Sequence, residues 1–432
     1  MTDKIVVDAW LADLAFPHYM DELFRLGREF GQAHPEYEIR IRGLGFRDGA
    51  AAVAQAAAEG SPAAIAEYYY TETPDALDAL DAAGRPLFTS VERAVAGRTH
   101  VLGEPVVVDD LLPALRAQYS RHGELFSLPT VATTFQLLTN VTMLRAAGVP
   151  DIPETWQDLR AACERLAASP GGPRYPITWP NNGIPFQHAI AMQGGELADH
   201  GNGRLGRART VDFTTKEMLA WVTWWRDLHR DDLYHYTGEL GDWLGTFELF
   251  AEQQVAFRLS STNDIGTAAE AAAEAGFEFA VSRFPYNADV PYQGNVVAGT
   301  SLWLADGLDE ATRDGALAFM QFLGNPRNAA RYHKAHSFIP VTRSAFALLE
   351  QEGWFAKHPY HRSPNDQLDL AANVDAAPGA LIGDFFEIQV VLTRAMHDVL
   401  VAGADPLERF ARATTEAQEM LARYLAEHPP SR

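Results

Sequence analysis

One run, Phe284 to Thr342, limits what this chain can become. It opens on Phe284-Pro285-Tyr286-Asn287-Ala288-Asp289 at the end of a predicted strand, then reaches Asn295-Val-Val-Ala-Gly299-Thr-Ser301-Leu-Trp303. A glycine at the centre of an apolar strand marks backbone that passes close to another segment or to a ligand. An amphipathic helix predicted over Asp309–Leu323 ends at Gly324-Asn325-Pro326. A second helix then leads into Ser337-Phe338-Ile339-Pro340-Val341-Thr342. Two strand segments around a helical excursion read as chain that enters one lobe and returns to another.

Length agrees with that reading, because 432 residues exceed one compact core and favour two lobes. The net charge of -22 argues against a nucleic-acid partner, since phosphate-binding surfaces need clustered Lys and Arg. The one cysteine, Cys163, allows no internal disulfide, and its amphipathic setting reads as small core filler. No run of 18 apolar residues is present, so no transmembrane segment is expected.

The first third alternates in type. Ile5–Trp10 is β-rich, Tyr19, Leu23, Phe24, Leu26 and Phe30 recur at near-helical spacing, and Glu38–Arg42 alternates. Ala50–Glu59 is helical until Gly60-Ser61-Pro62, and Ala63–Tyr70 is a buried strand. The order β-α-β-α-β predicts an α/β lobe on a mainly parallel sheet. Later segments read as a strand over Phe135–Asn140, a helix opened by Thr155-Trp156-Gln157-Asp158, and a tryptophan-bearing helix over Met218–Leu228. A strand is expected over Gln254–Phe257, followed by the polar loop Ser260–Asn263. Helices are expected over Asp384–Val401 and from Asp405-Pro406 to Leu425.

No G-x-S-x-G elbow, Walker loop or H-E-x-x-H motif is present, and no catalytic residue is assigned. Gly201-Asn-Gly203-Arg-Leu-Gly206 fits a dinucleotide fingerprint in letters only, because no strand precedes it, so it reads as a surface loop. His333 and His336 are three apart but have no assignable third ligand, and no metal or cofactor is expected. An enzyme on this scaffold would draw on Asp242, Glu72 or Asp384.

Four motifs carry a resemblance: Pro285-Tyr286-x-Ala288-Asp289-Val290, Gly299-x-Ser301-Leu302-Trp303, Asn325-Pro326-x-Asn328-Ala329-Ala330 and Ile339-Pro340-Val341-Thr342. Together they are similar to the crossover region of family 1 extracellular solute-binding proteins of ABC importers, in particular the branch that binds glycerol phosphate. The resemblance implies a two-lobed periplasmic-binding-protein-like α/β fold of type II, with mixed sheets flanked by helices. It implies residues 1–132 plus 298–336 in one lobe and 133–297 plus 337–432 in the other, with hinge crossings near 128–134, 296–300 and 336–342. It also implies a ligand cleft between lobes that close on the solute, delivery to an ABC permease, and a monomer.

Carried over position by position, the resemblance places Gly299 where the family backbone approaches its ligand. Thr133 or Thr134 stands at a hydroxyl position, and Ser261, Thr262 and Asn263 form a second cleft loop. Phe46 and Phe338 stand where the glycerol-phosphate branch has tyrosine, Tyr70 where it has glutamate, and Gln389 where it has a phosphate-binding arginine. Gln cannot replace a fixed cation that clamps phosphate through two bonds. Trp10, Trp179, Phe186 and Trp243, each in a loop-like context, complete the expected aromatic set. The cargo expected from this set is a neutral sugar, glycoside or polyol. An extracytoplasmic location is expected if a signal preceded the chain, and a cytoplasmic binding or sensor role if Met1 is the true start.

Overall fold

The computed structural model describes residues 4–15, 18–45, 48–371 and 379–429. The chain divides into two compact units: unit 1 takes Met1–Ala132, Ala298–Glu352 and Tyr424–Arg432, and unit 2 takes Thr133–Val297 and Gly353–Arg423. The sequence reading placed everything after residue 336 with unit 2, but residues 337–352 belong to unit 1. Backbone bonding explains the difference. Ile339 N donates to Ala132 O at 2.8 Å, and Leu112 N donates to Val341 O at 3.0 Å. At the chain's far end, the Tyr424 hydroxyl donates to Asp78 at 2.9 Å.

The strands in chain order are β1 (Ile5–Asp13), β2 (Tyr37–Gly45), β3 (Ile65–Tyr69) and β4 (Phe88–Thr89). Two short hairpins follow, β5–β6 (His100–Val101, Glu104–Pro105) and β7–β8 (Ser120–Arg121, Glu124–Leu125). Next come β9 (Leu128–Thr133), β10 (Phe135–Asn140), β11 (Ile177–Thr178) and β12 (Tyr234–His235). The last are β13 (Phe257–Ser261), β14 (Phe279–Arg283) and β15 (Ala298–Ala305).

Unit 1 is built on the order β2-β1-β3-β15-β4, with β9 also paired to β15. The parallel part, β2-β1-β3, is the predicted β-α-β-α-β segment. β15 enters antiparallel beside β3, with Leu302 opposite Glu67. Over the sheet, the Tyr19–Ala33 helix buries Tyr19, Leu23, Leu26 and Phe30. Phe24, counted with that stripe from sequence, is 39% exposed, because one helical step past Leu23 turns a side chain about 100° away. Tyr70, read as the end of a strand, instead opens a short 3-10 turn, Tyr70–Glu72.

Gly299 shows what its strand's close approach is to. Its φ is +133°, and a Cβ there would lie 1.9 Å from Val131 O on the neighbouring β9. The partner is protein backbone within unit 1, so the glycine is required by strand packing. Gly299→Ala is therefore expected to lower stability by about 1–3 kcal/mol in a urea titration, the typical cost of holding a side chain in glycine-only backbone.

Unit 2 is built on the order β12-β11-β13-β10-β14, with β10 antiparallel to both β13 and β14. β13 begins three residues later than the sequence suggests. Gln253 takes φ +58° and Gln254 N donates back to Leu249 O at 2.8 Å, so both still belong to the end of the preceding helix. The Lys216–Arg230 helix buries Trp221 and Trp225. Trp179 lies 5.1 Å from Trp225 and 4.2 Å from Tyr234, and Trp156 stacks on Trp224 at 5.1 Å. Cys163 is buried in the Trp156–Ala168 helix, where burial raises its thiol pKa and keeps it an unreactive filler.

Candidate functional site

In unit 2 the candidate residues gather at one end of the sheet. β10 begins and β13 ends there, with Phe135 opposite Ser261 as the terminal pair. Thr262 N donates to Thr134 O at 2.9 Å, so the two polar segments meet directly. The Trp243 ring lies 5.8 Å from Phe135, edge to face, and caps the same end. Trp243 opens the Trp243–Ala251 helix, whose N-cap Asp242 accepts from Gly245 N at 2.8 Å.

The hydroxyls divide into two kinds. Thr134 Oγ1 donates to Val296 O at 3.1 Å and accepts from Gln367 Nε2 at 2.9 Å, while Thr262 Oγ1 accepts from Thr134 N at 3.4 Å. These two threonines hold the framework together. Thr133 and Ser261 stand outside that network, so they are the hydroxyls with bonding capacity to offer. Asn263 is half-buried, and its amide donates to Asp264 at 3.0 Å.

Gln389 reaches this region through a loop. It is buried on the Phe385–Val401 helix, and its Cβ, Cγ and Oε1 occupy the space a side chain at Gly183 would need. Gly183 follows Asn181, whose carbonyl accepts from Gly241 N at 2.9 Å, two residues before Trp243. The Gln389 Nε2 is buried without a hydrogen-bond partner among the described residues. Gly183 packs against the slim carboxamide; no guanidinium stands there.

Other expected residues are placed differently. Trp179 and Phe186 are fully buried in the unit 2 core, Phe186 lying 5.6 Å from Trp225 and 6.1 Å from Phe410. Trp179 does lie in an irregular segment, just after β11, whereas Phe186 belongs to the Gly183–Met192 helix; packing buries both. Phe338 is buried in unit 1 against Tyr19, Tyr332 and His336 at 6.1, 6.4 and 5.6 Å. Tyr70 is buried in unit 1, edge to face with Tyr69 at 4.8 Å. Trp10 is half-buried, with the Arg42 guanidinium 4.7 Å from its ring centre. Phe46 lies outside the described residues.

The carboxylates named for an enzyme have other duties. Glu72 accepts from Tyr69 N at 3.1 Å and closes its turn, Asp242 caps a helix, and Asp384 precedes the Phe385–Val401 helix in a left-handed conformation. The His333 Nδ1 donates to Phe338 O at 2.7 Å, and His336 packs on Tyr19 at 5.5 Å, so both histidines serve the unit 1 core.

Arg258 was missed. It is fully buried on β13 and binds three pieces of the candidate site at once. It donates to Asp264 at 2.7 Å, to Trp243 O at 3.1 Å and to Thr246 Oγ1 at 3.4 Å. Ser260 Oγ adds a 2.5 Å bond to the same Asp264 oxygen. The signal was legible: an arginine inside the apolar run Val255-Ala-Phe-Arg258-Leu, with an aspartate six residues on, calls for a buried partner.

The sequence profile of the bacterial extracellular solute-binding proteins matches residues 26–362. The chain belongs to that family. It is similar to the sn-glycerol-3-phosphate-binding periplasmic protein UgpB of Escherichia coli (strain K12), with 24% identity over 410 residues, covering 93% of this chain and 90% of that protein. Among solved structures it is similar to the sugar-binding protein MalE from Xanthomonas citri, with TM-score 0.79, 16% identity, and coverage of 99% of this chain and 100% of that one. It is also similar to UgpB from Mycobacterium tuberculosis in complex with glycerophosphocholine, with TM-score 0.73, 19% identity, and coverage of 97% and 99%. This solute-binding protein therefore has the two-lobed periplasmic-binding-protein-like α/β fold. Its family is one of binding proteins, so the carboxylates above need no catalytic role.

Proposed function

We propose that this solute-binding protein captures a neutral sugar, glycoside or polyol-like solute by lobe closure, as an extracytoplasmic monomer that hands it to an ABC permease. The observation that carries the ligand class is the end of the unit 2 sheet. There Thr133, Ser261, Asn263 and Trp243 offer hydroxyls, an amide and an aromatic face. The cation at that end, Arg258, is fully buried and already paired with Asp264. A neutral polyhydroxylated solute suits such a surface, because rings pack on its C–H faces while polar groups bond its hydroxyls. Gln389 supports the same reading by putting a carboxamide where the resemblance expects a phosphate clamp. The sugar-binding MalE of X. citri, with the same fold, supports the class.

Isothermal titration against a glycan panel is expected to give micromolar dissociation constants for at least one neutral oligosaccharide, and no heat with glycerol-3-phosphate. Micromolar or tighter glycerol-3-phosphate binding would overturn the ligand class. Tryptophan fluorescence should report through few residues. Trp179, Trp221 and Trp225 are sealed in the core and should be silent, so Trp243→Phe is expected to remove most of the sugar-induced change.

A further inference from the structure

Glu67 is a charged residue on β3, the central strand of the unit 1 sheet. It is 7% exposed on β3, yet its carboxylate holds three other strands. Oε2 accepts from Ala12 N on β1 at 3.0 Å. Oε1 accepts from Thr130 Oγ1 on β9 at 2.8 Å and from Thr300 Oγ1 on β15. The two threonine oxygens are themselves 3.2 Å apart, which closes the cluster.

Those two strands are special in the chain path. β9 runs on into unit 2 at Thr133, three residues after Thr130. β15 begins at Ala298, where the chain returns from unit 2, two residues before Thr300. One carboxylate therefore bonds both strands next to the points where they leave unit 1.

Simple packing does not account for an acid here. Around it are Leu11, Leu23, Leu302, Tyr19 and Tyr332, which line a cavity of ≈ 20 Å³ beside the carboxylate. An apolar side chain would fill that space, and replacing buried ionic groups with apolar ones of similar volume is often neutral or stabilising. Burial raises the Glu67 pKa despite opposing bonds from Thr300, Thr130 and Ala12, so its ionised form costs stability. A costly buried acid that bonds Thr130 and Thr300 beside the two crossings, and is itself anchored by Ala12 N, fits a positioning role.

We propose that Glu67 is a positioning residue for solute binding, a carboxylate splice that locks β9 and β15 together where both pass between units. It touches no solute on this account; it fixes the strands on which closure depends. The proposal rests on the solute-binding reading, and not on which solute is bound.

Three variants separate this from a merely structural role. Glu67→Gln keeps one acceptor oxygen for the threonines but turns an amide N–H toward Ala12 N, donor against donor. Thr130→Val removes one strand's bond at constant shape, and Thr130→Ser restores it. Hydrogen exchange on the solute-free full chain should show amides of 128–133 and 298–301 exchanging at least tenfold faster in Glu67→Gln and Thr130→Val. Ala12 N loses its acceptor in Glu67→Gln, so its amide should exchange faster in that variant alone; the other amides of β1–β2 and those of unit 2 should be unchanged, and Thr130→Ser should match the parent chain. With whichever glycan the parent binds in calorimetry, affinity should fall about tenfold in the first two variants and recover in the third. Unchanged exchange in β9 and β15, or faster exchange at unchanged affinity, would overturn the proposal. If Glu67→Gln does not fold, the two Thr130 variants decide. If the parent binds no glycan, the ligand class fails and the exchange arm alone decides for or against the splice.

Discussion

Replacing Asp264 by alanine is expected to cost about 3–5 kcal/mol of stability, the usual result of stripping the partner from a buried charge. The pair is unequal: the Arg258 side chain is 0% exposed, whereas Asp264 is 22% exposed. Asp264→Ala therefore strands a guanidinium that water cannot reach. Arg258→Met leaves a carboxylate that water can still solvate, and it should cost less, about 1–3 kcal/mol for the bonds to Trp243 O and Thr246 that it loses. The double variant Arg258→Met/Asp264→Ala should be more stable than Asp264→Ala alone, because no charge then remains buried. Urea titrations of the four chains form the cycle that tests this. Additive losses would show that the two groups do not act as a pair. Solute affinity should fall at least tenfold in Asp264→Ala, since Asn263 bonds Asp264 and Trp243 is held through Arg258.

Local chemistry made much of the fold readable in advance. Thr155 caps its helix through a 3.0 Å bond from Asp158 N, as its Thr-x-x-Asp spacing implies. Asn325 caps the helix that begins at Pro326, and Glu408 N bonds Asp405 just before the last helix. Each is a contact over three residues, so sequence spacing carries it. The candidate site was read less well, because its geometry depends on contacts between distant segments. Trp179 and Phe186 looked like loop aromatics until Trp225 and Phe410 closed over them. Phe338 was aligned by resemblance to a ligand position, yet its neighbours are Tyr19 and Tyr332. A glycine at the centre of an apolar strand predicts the close approach at Gly299, but only the structure names Val131 as what it approaches. The proposed set, Thr133, Ser261, Asn263 and Trp243, rests on contacts no periodicity reveals: the β10–β13 register sets Phe135 opposite Ser261, and the Trp243 ring packs on Phe135.

Two groups, one in each unit, tilt stability against pH in opposite directions over the same window, about pH 4.5 to 7. In unit 2, His188 is fully buried and burial pulls its pKa down to about 3. Its Nδ1 lies 3.2 Å from the Asn295 amide nitrogen, which donates to it and so favours the neutral ring. The unfolded chain takes up that proton near pH 6.5, which the folded chain refuses, so stability is lost as pH falls below about 6.5. At about 1.4 kcal/mol per pH unit, the loss reaches roughly 2–3 kcal/mol by pH 4.5. In unit 1, burial pushes the Glu72 pKa up to about 7, against the bond from Tyr69 N. A raised carboxyl stabilises the fold while protonated, so its contribution is present below about pH 4.5 and is lost as pH rises through 7. That loss amounts to roughly 2–3 kcal/mol between pH 4.5 and 8. Two substitutions that keep the local bonding separate the opposed contributions, which largely offset one another in the parent chain. His188→Gln retains an oxygen for Asn295 and should leave a chain whose stability falls as pH rises from 4.5 to 7. Glu72→Gln retains an acceptor for Tyr69 N and should leave one whose stability rises from pH 4.5 to 6.5. Urea midpoints at pH 4.5, 6.5 and 8 decide the matter. If His188→Gln follows the parent chain from pH 6.5 to 4.5, the acid loss belongs to other groups and the neutral, buried His188 is not its source.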